Sequence, residues 1–180
     1  MTERALLTID LDGVLCRPPF GINPGSGRGK SRTAGGSRNL LWLTERFRYL
    51  GRKPMAGAPE GFRALAEQYN CVIVSARGEG TRGQTRRWLE RHLGVAPPMY
   101  LRPHWRETSA QFKARMLTEL KPLGHFEDDP HTAQWAAELV PAVFLVDWPR
   151  NRWLQRENIH RIETLAEALP VLDRIAGRES

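Results

Sequence analysis

The sequence predicts an α/β fold: a parallel sheet of about five strands with helices on both faces, and a small insert after the first strand. Apolar runs of strand length alternate with segments whose apolar residues recur every three or four positions. Polar, chemistry-bearing residues gather just after the strands, where sheets of this kind bind ligands. At 180 residues and 41% hydrophobic content, the chain is long enough for one domain with a real core plus an insert.

Ala5–Asp10 reads as the first buried strand. Cys71–Ser75 (CVIVS) is the second, Met99–Arg102 a short third after Pro97-Pro98, Gly124–Glu127 the fourth and Val143–Asp147 (VFLVD) the fifth. Between them, Glu60–Tyr69, Arg82–Leu93, Ser109–Leu120 and His131–Leu139 carry helical periodicity: Phe62, Leu65 and Tyr69 share one face, as do Phe112, Met116 and Leu120. Glu163–Ala176 is expected to close the chain as a helix that Pro170 bends or divides. This alternation implies a Rossmann-like parallel sheet covered on both faces. Residues 16–58 break the pattern. Gly21–Arg38 holds six glycines and four basic residues and reads as a loop, whereas Asn39–Leu50 (NLLWLTERFRYL) has a helical pattern. The expectation is a single domain over 1–180 in which 16–58 forms a small cap or flap above the strand ends.

The net charge is +7, and 23 of the 27 basic residues are arginine. Such a balance suits anionic partners: phosphorylated small molecules, nucleotides or nucleic acid. Two cysteines, Cys16 and Cys71, indicate neither a disulfide scaffold nor a zinc site. The apolar stretch at the N-terminus is short and carries two aspartates, and no later run approaches about 18 apolar residues, so no membrane partner is expected. The setting expected from this is cytoplasmic.

The strand ends carry the candidate chemistry. Strand one ends in Asp10-Leu11-Asp12-Gly13, strand two in Ser75-Ala76-Arg77-Gly78 and strand four in Glu127-Asp128-Asp129-Pro130. In a parallel sheet these tips converge on one rim. Carboxylates buried without partners are too costly, so their convergence points to a hard divalent cation, and Mg²⁺ takes oxygen ligands. Asp10 and Asp12 lie two apart and can face the same side, so that one attacks while the other exchanges a proton. Gly13 permits a sharp exit there. Arg77 either grips a phosphate or a second anion, or forms a structural ion pair. Trp42 in the insert is a candidate base-stacking residue. Arg17, Arg28, Lys30 and Arg32, also in the insert, would either contact a polyanion or solvate the loop. His104, His125 and His131 show no metal-ligand spacing with one another.

Ile9-Asp10-Leu11-Asp12-Gly13-Val14-Leu15 resembles the first motif of the haloacid dehalogenase superfamily, a hydrophobic strand followed by DxDGVL. The resemblance covers roughly residues 5–165 and implies a Mg²⁺-dependent phosphatase. Asp10 would form an aspartyl-phosphate, and Asp12 would protonate the leaving oxygen and then activate water. By the same resemblance, Ser75, with Ala76 and Arg77 beside it, would bind the transferred phosphoryl group. Lys113 would steady the nucleophile. Asp128 and Asp129 would join Asp10 and Asp12 at the metal, Asp12 through its main-chain carbonyl. One of Asp128 and Asp129 is expected to be a cap or to lie behind the ligands; Asp128 is the favoured ligand. VSARGEGTRGQTRRWLE resembles the 3′-phosphatase domain of polynucleotide kinase-phosphatase, whereas EDDPHTA with VFLVDWPRNRW resembles 5′(3′)-nucleotidases. Both imply a nucleotide-like phosphate, either a small molecule or a nucleic-acid end. A binding protein that kept the fold is the remaining alternative.

Overall fold

All six strands of the sheet run in the same direction. In the computed structural model, which describes residues 4–18, 51–103 and 107–177, their order is β3-β2-β1-β4-β5-β6. The strands are β1 (Leu6–Ile9), β2 (Asn70–Gly78), β3 (Met99–Arg102), β4 (Gly124–Glu127), β5 (Ala142–Val146) and β6 (Ile159–Ile162). β1 lies at the centre, with Ile9 in register with Ile73 on one side and Phe126 on the other. Topology reverses on either side of β1, which is where a sheet of this kind opens a crevice. The sixth strand adds an edge to the five expected. Its Ile-His-Arg-Ile sequence is short and half-exposed, so it carries little hydrophobic periodicity.

Among the described residues, four helices lie between strands, α1 (Ala58–Gln68), α2 (Arg82–Leu93), α3 (Ser109–Leu120) and α4 (Pro130–Ala136), and α5 (Leu169–Ile175) follows β6. They cover both faces. On one, Phe62 and Leu65 of α1, Leu89 of α2 and Leu172 of α5 pack against Leu7, Ile9, Ile73, Phe126 and Phe144. On the other, Phe112 and Met116 of α3 meet Val72 and Val74, and Ala133 and Ala136 of α4 meet Val143 and Leu145. Period-two alternation along the strands divides the core in this way. The expected closing helix is divided, as Pro170 suggests: a 3₁₀ turn over Leu165–Ala168 precedes α5, whose first turn contains the proline. At Gly124 an added Cβ would lie 2.8 Å from the Phe144 ring, so the start of β4 admits only glycine without a shift of that ring.

The two described ends of the 16–58 segment meet. Cys16 bridges antiparallel to Pro54, the Arg17 amide donates to the Lys53 carbonyl at 2.9 Å, and the Met55 amide to the Leu15 carbonyl at 2.8 Å. The loop, helix, basic residues Arg28, Lys30 and Arg32, and Trp42 expected within this segment lie outside the described residues, as does His104. No helix among the described residues is long and apolar enough to cross a membrane.

Candidate active site at the strand ends

Asp10 follows the last residue of β1, and its amide is tied to the Phe126 carbonyl of β4 at 3.0 Å. Its side chain is buried. Lys113 reaches it from α3, which starts at a capping box between Thr108 and Gln111. The buried face of α3 carries Phe112, Lys113, Met116 and Leu117, so the lysine is held inward among apolar neighbours. Its ammonium donates to Asp10 Oδ2 at 2.8 Å and to Glu127 Oε2 at 2.6 Å. Lys121, the other lysine near the end of this segment, caps the helix in a left-handed conformation, away from this contact.

Glu127, fully buried at the tip of β4, has a role that sequence reasoning missed. Its Oε1 accepts the amides of Asp128 and Asp129 at 3.0 and 3.1 Å. Its Oε2, besides Lys113, contacts His125 Nε2 at 3.3 Å, and His125 Nδ1 lies 2.9 Å from Thr8 Oγ1. A hydrogen-bonded line therefore runs from Thr8 through His125, Glu127 and Lys113 to Asp10. The signal was present: His125 and Glu127 alternate on one face of a strand whose four residues are all buried. A carboxylate buried there requires a cation.

The charges shape one another. Burial pushes the Asp10 carboxyl up, and Lys113 only partly offsets this, leaving it at about 6 instead of 3.8. Burial opposes ionisation of Glu127, but Lys113 and His125 outweigh it and hold its carboxyl below the usual carboxylate range. Burial also opposes the charge on Lys113, yet Asp10 and Glu127 keep it protonated. Asp128 is raised well above its ordinary value by burial and by the charges of Glu127 and Asp10.

The Asp12 carboxylate faces two guanidinium groups. Arg77 grips it with Nε at 2.8 Å and Nη2 at 2.7 Å, and Arg52 pairs with it from the returning limb of the insert. Arg77 also donates to Thr85 Oγ1 at 3.3 Å, so its buried fork faces protein groups. Of the two readings of Arg77, the ion pair is the one seen in this structure. The arginine is bidentate on a catalytic candidate where the sequence suggested a phosphate contact. Arg52 was also missed, because nothing local marks it. The Trp88 indole donates to its carbonyl at 2.8 Å and fixes it. Ser75 is buried within β2, three residues before its end, with its hydroxyl 3.4 Å from the Arg77 amide; Ala76 follows, half-buried. Gly13, at φ 89°, turns the chain after Asp12, and the Trp148 indole donates to its carbonyl at 3.1 Å.

Asp128 and Asp129 diverge. Asp129 caps α4, with its Oδ1 accepting the Thr132 amide at 2.9 Å and hydroxyl at 3.1 Å. Asp128 instead turns toward Asp10: oxygens of Asp10, Glu127 and Asp128 all lie within 4.8 Å of one another. The metal set expected from sequence was Asp10, Asp12, Asp128 and Asp129. The carboxylates brought together are those of Asp10 and Asp128, with Glu127 as the third. A separate cavity of about 420 Å³ lies where the strands begin, lined by Leu6, Phe62, Tyr69 and Pro98 among others; it faces away from these carboxylates.

No family model and no curated protein matches the chain. Solved structures do. A haloacid dehalogenase-like hydrolase from Streptococcus pneumoniae aligns with a TM-score of 0.63 at 14% identity, covering 95% of this chain and 99% of that one. The D,D-heptose 1,7-bisphosphate phosphatase of B. bronchiseptica, complexed with magnesium and phosphate, aligns at 0.55 and 16% identity, covering 97% and 99%. A phosphoserine phosphatase holding a phospho-aspartyl intermediate analogue aligns at 0.54 and 11%, covering 94% and 99%. At these identities the likeness establishes the fold, which is that of haloacid dehalogenase-type hydrolases.

Proposed function

We propose that this chain is a Mg²⁺-dependent phosphate-monoester hydrolase that works through an aspartyl-phosphate on Asp10. One observation carries the reading: a buried lysine bridges Asp10 to Glu127, and Asp128 offers an oxygen within 4.8 Å of both carboxylates. The donor set fits a hard cation, since all three groups offer carboxylate oxygen. Glu127 is already engaged by Lys113, His125 and two amides. Asp10, Asp128 and the Asp12 main-chain carbonyl are therefore the proposed ligands, and Asp129 serves as a helix cap. When bound, Mg²⁺ would supply positive charge at the phosphoryl oxygens. The magnesium and phosphate of the heptose-bisphosphate phosphatase, which shares the fold, support this choice.

In this reading an Asp10 oxygen attacks phosphorus. The bond from phosphorus to the ester oxygen breaks as Asp12 gives that oxygen a proton. Asp12 then takes a proton from water, the water oxygen attacks phosphorus, and the bond to Asp10 breaks to release inorganic phosphate. Lys113, anchored on Glu127, holds the nucleophile and offsets phosphate charge. Arg77 orients Asp12. The Ser75 hydroxyl and Ala76 are the proposed phosphate contacts.

The substrate class we favour is a small phosphorylated molecule such as a nucleotide. Arg82 and Arg86 of the basic helix α2 are paired with Glu79 and Glu90, which lessens their pull on a polyanion. The test is a Mg²⁺-dependent phosphatase screen over nucleotides, sugar phosphates and 3′-phosphorylated oligonucleotides, with Asp10→Asn as control. Hydrolysis of small esters that the substitution abolishes supports the reading. An active Asp10→Asn variant, or no turnover across the panel, rejects it. A preference for oligonucleotide ends that falls steeply with salt would favour a nucleic-acid end as substrate instead.

A further inference from the structure

The turn after β5, within the VFLVDWPRNRW segment, grips the tip of β4. Pro149–Asn151 forms a single 3₁₀ turn. Asn151, fully buried, holds that turn in place. Its Nδ2 donates to the Val146 carbonyl at 2.7 Å and to the Asp128 carbonyl at 3.0 Å. Its Oδ1 accepts the Trp148 amide at 3.2 Å and Arg161 of β6 at 2.6 Å. The backbone of Arg150 is thus pinned between β5, β6 and the tip of β4. From there its guanidinium donates from Nη1 to the Asp128 carbonyl at 2.8 Å and from Nη2 to the Asp128 carboxylate.

One planar fork therefore holds both the main chain and the side chain of Asp128. A carboxylate tied in this way cannot rotate without breaking a charge-assisted bond, and only a guanidinium has the shape to make both contacts. Lys113 already serves Asp10 and Glu127, and Arg150 supplies positive charge at the third carboxylate. On the reading of the site above, we infer that Arg150 is a positioning residue for the divalent cation, setting the orientation in which Asp128 meets it. Groups of this kind, one shell out from a metal, typically set affinity by 10–100-fold.

The experiment is calorimetric titration of Mg²⁺ into the substrate-free protein, with thermal unfolding in chelator alongside. In Arg150→Gln, Mg²⁺ should bind about 10–100-fold more weakly than in the unmodified protein. Arg150→Lys should fall between the two, because an ammonium keeps the charge but loses the second contact. It also keeps the test open if the glutamine variant folds poorly. The Arg150 side chain is 21% exposed, so any packing lost on its replacement is read by the unfolding midpoint in chelator. A merely structural arginine would lower the unfolding midpoint in chelator and leave the Mg²⁺ dissociation constant where it was; that result overturns the inference. So does tighter binding in Arg150→Gln, which would mean that the arginine competes with the cation. If the unmodified protein binds no Mg²⁺, the hydrolase reading falls as well, whereas unchanged binding in Arg150→Gln removes this inference alone.

Discussion

Replacing Asp10, the proposed nucleophile, should make the metal-free protein more stable. Asp10 has a carboxyl raised from 3.8 to about 6, chiefly by burial. Its folded-state value lies above its unfolded one, so its contribution is fully present below about pH 4 and is lost as pH rises through about 6. Above that, keeping the group ionised in the fold costs about 3 kcal/mol, from roughly 1.4 kcal/mol per pH unit over the displacement. Asn at this position stays neutral and can still accept from the Lys113 ammonium, which keeps its contact with Glu127. In chelator at pH 7.5, Asp10→Asn should therefore gain on the order of 3 kcal/mol in urea unfolding, and the gain should shrink toward zero near pH 4. Mg²⁺ should close this gap, since it stabilises only the protein that binds it, by about 3 kcal/mol at a hundred times the dissociation constant, and reverse the order at about a thousand times, where it supplies about 4 kcal/mol. An Asp10→Asn variant less stable than the unmodified protein at pH 7.5 in chelator, or a gain that does not depend on pH, would refute this account of the buried charge.

Two further substitutions probe the neighbouring pairs. Lys113→Met leaves Asp10 and Glu127 buried without their shared cation and should destabilise the fold by about 3–5 kcal/mol, read as a lower urea midpoint, with loss of turnover. Arg77→Lys replaces the two-point grip on Asp12 with a single ammonium. Losing one charge-assisted bond, worth about 1.5–3 kcal/mol, should lower kcat about 10–100-fold with little change in KM. A rise in KM at unchanged kcat would instead mean that Arg77 binds substrate.

Much of the fold was legible because local signals agreed with tertiary ones. β3, β4, α2 and α3 occupy the segments expected from periodicity; α2 stops at Gly94, left-handed at φ 79°, and α3 starts at a capping box. Boundaries drifted where packing decided them. β2 begins a residue earlier and extends to Gly78, through the tip where Arg77 reaches Asp12. α4 ends at Ala136, before the last residues of the expected helix. In the site, the carboxylate tips and Lys113 could be read because they sit at fixed places relative to strands. The pairings of Glu127, Arg52, Arg150 and Asn151 could not, since each spans 14 to 40 positions, as in Lys113–Glu127 and Arg52–Asp12. No periodicity encodes such a pairing; it exists only once the sheet is assembled.

The closure at Cys16–Pro54 has a consequence for how such a molecule can vary. The polypeptide leaves the sheet and re-enters it through one doorway, sealed by main-chain bonds between Arg17 and Lys53 and between Leu15 and Met55. Length and composition beyond that doorway can change while strand order and the Asp10–Lys113 pair remain as they are. Arg52 stands on the threshold, its guanidinium on Asp12. A change in the segment that shifted this doorway would therefore be felt first at Asp12, through that one ion pair.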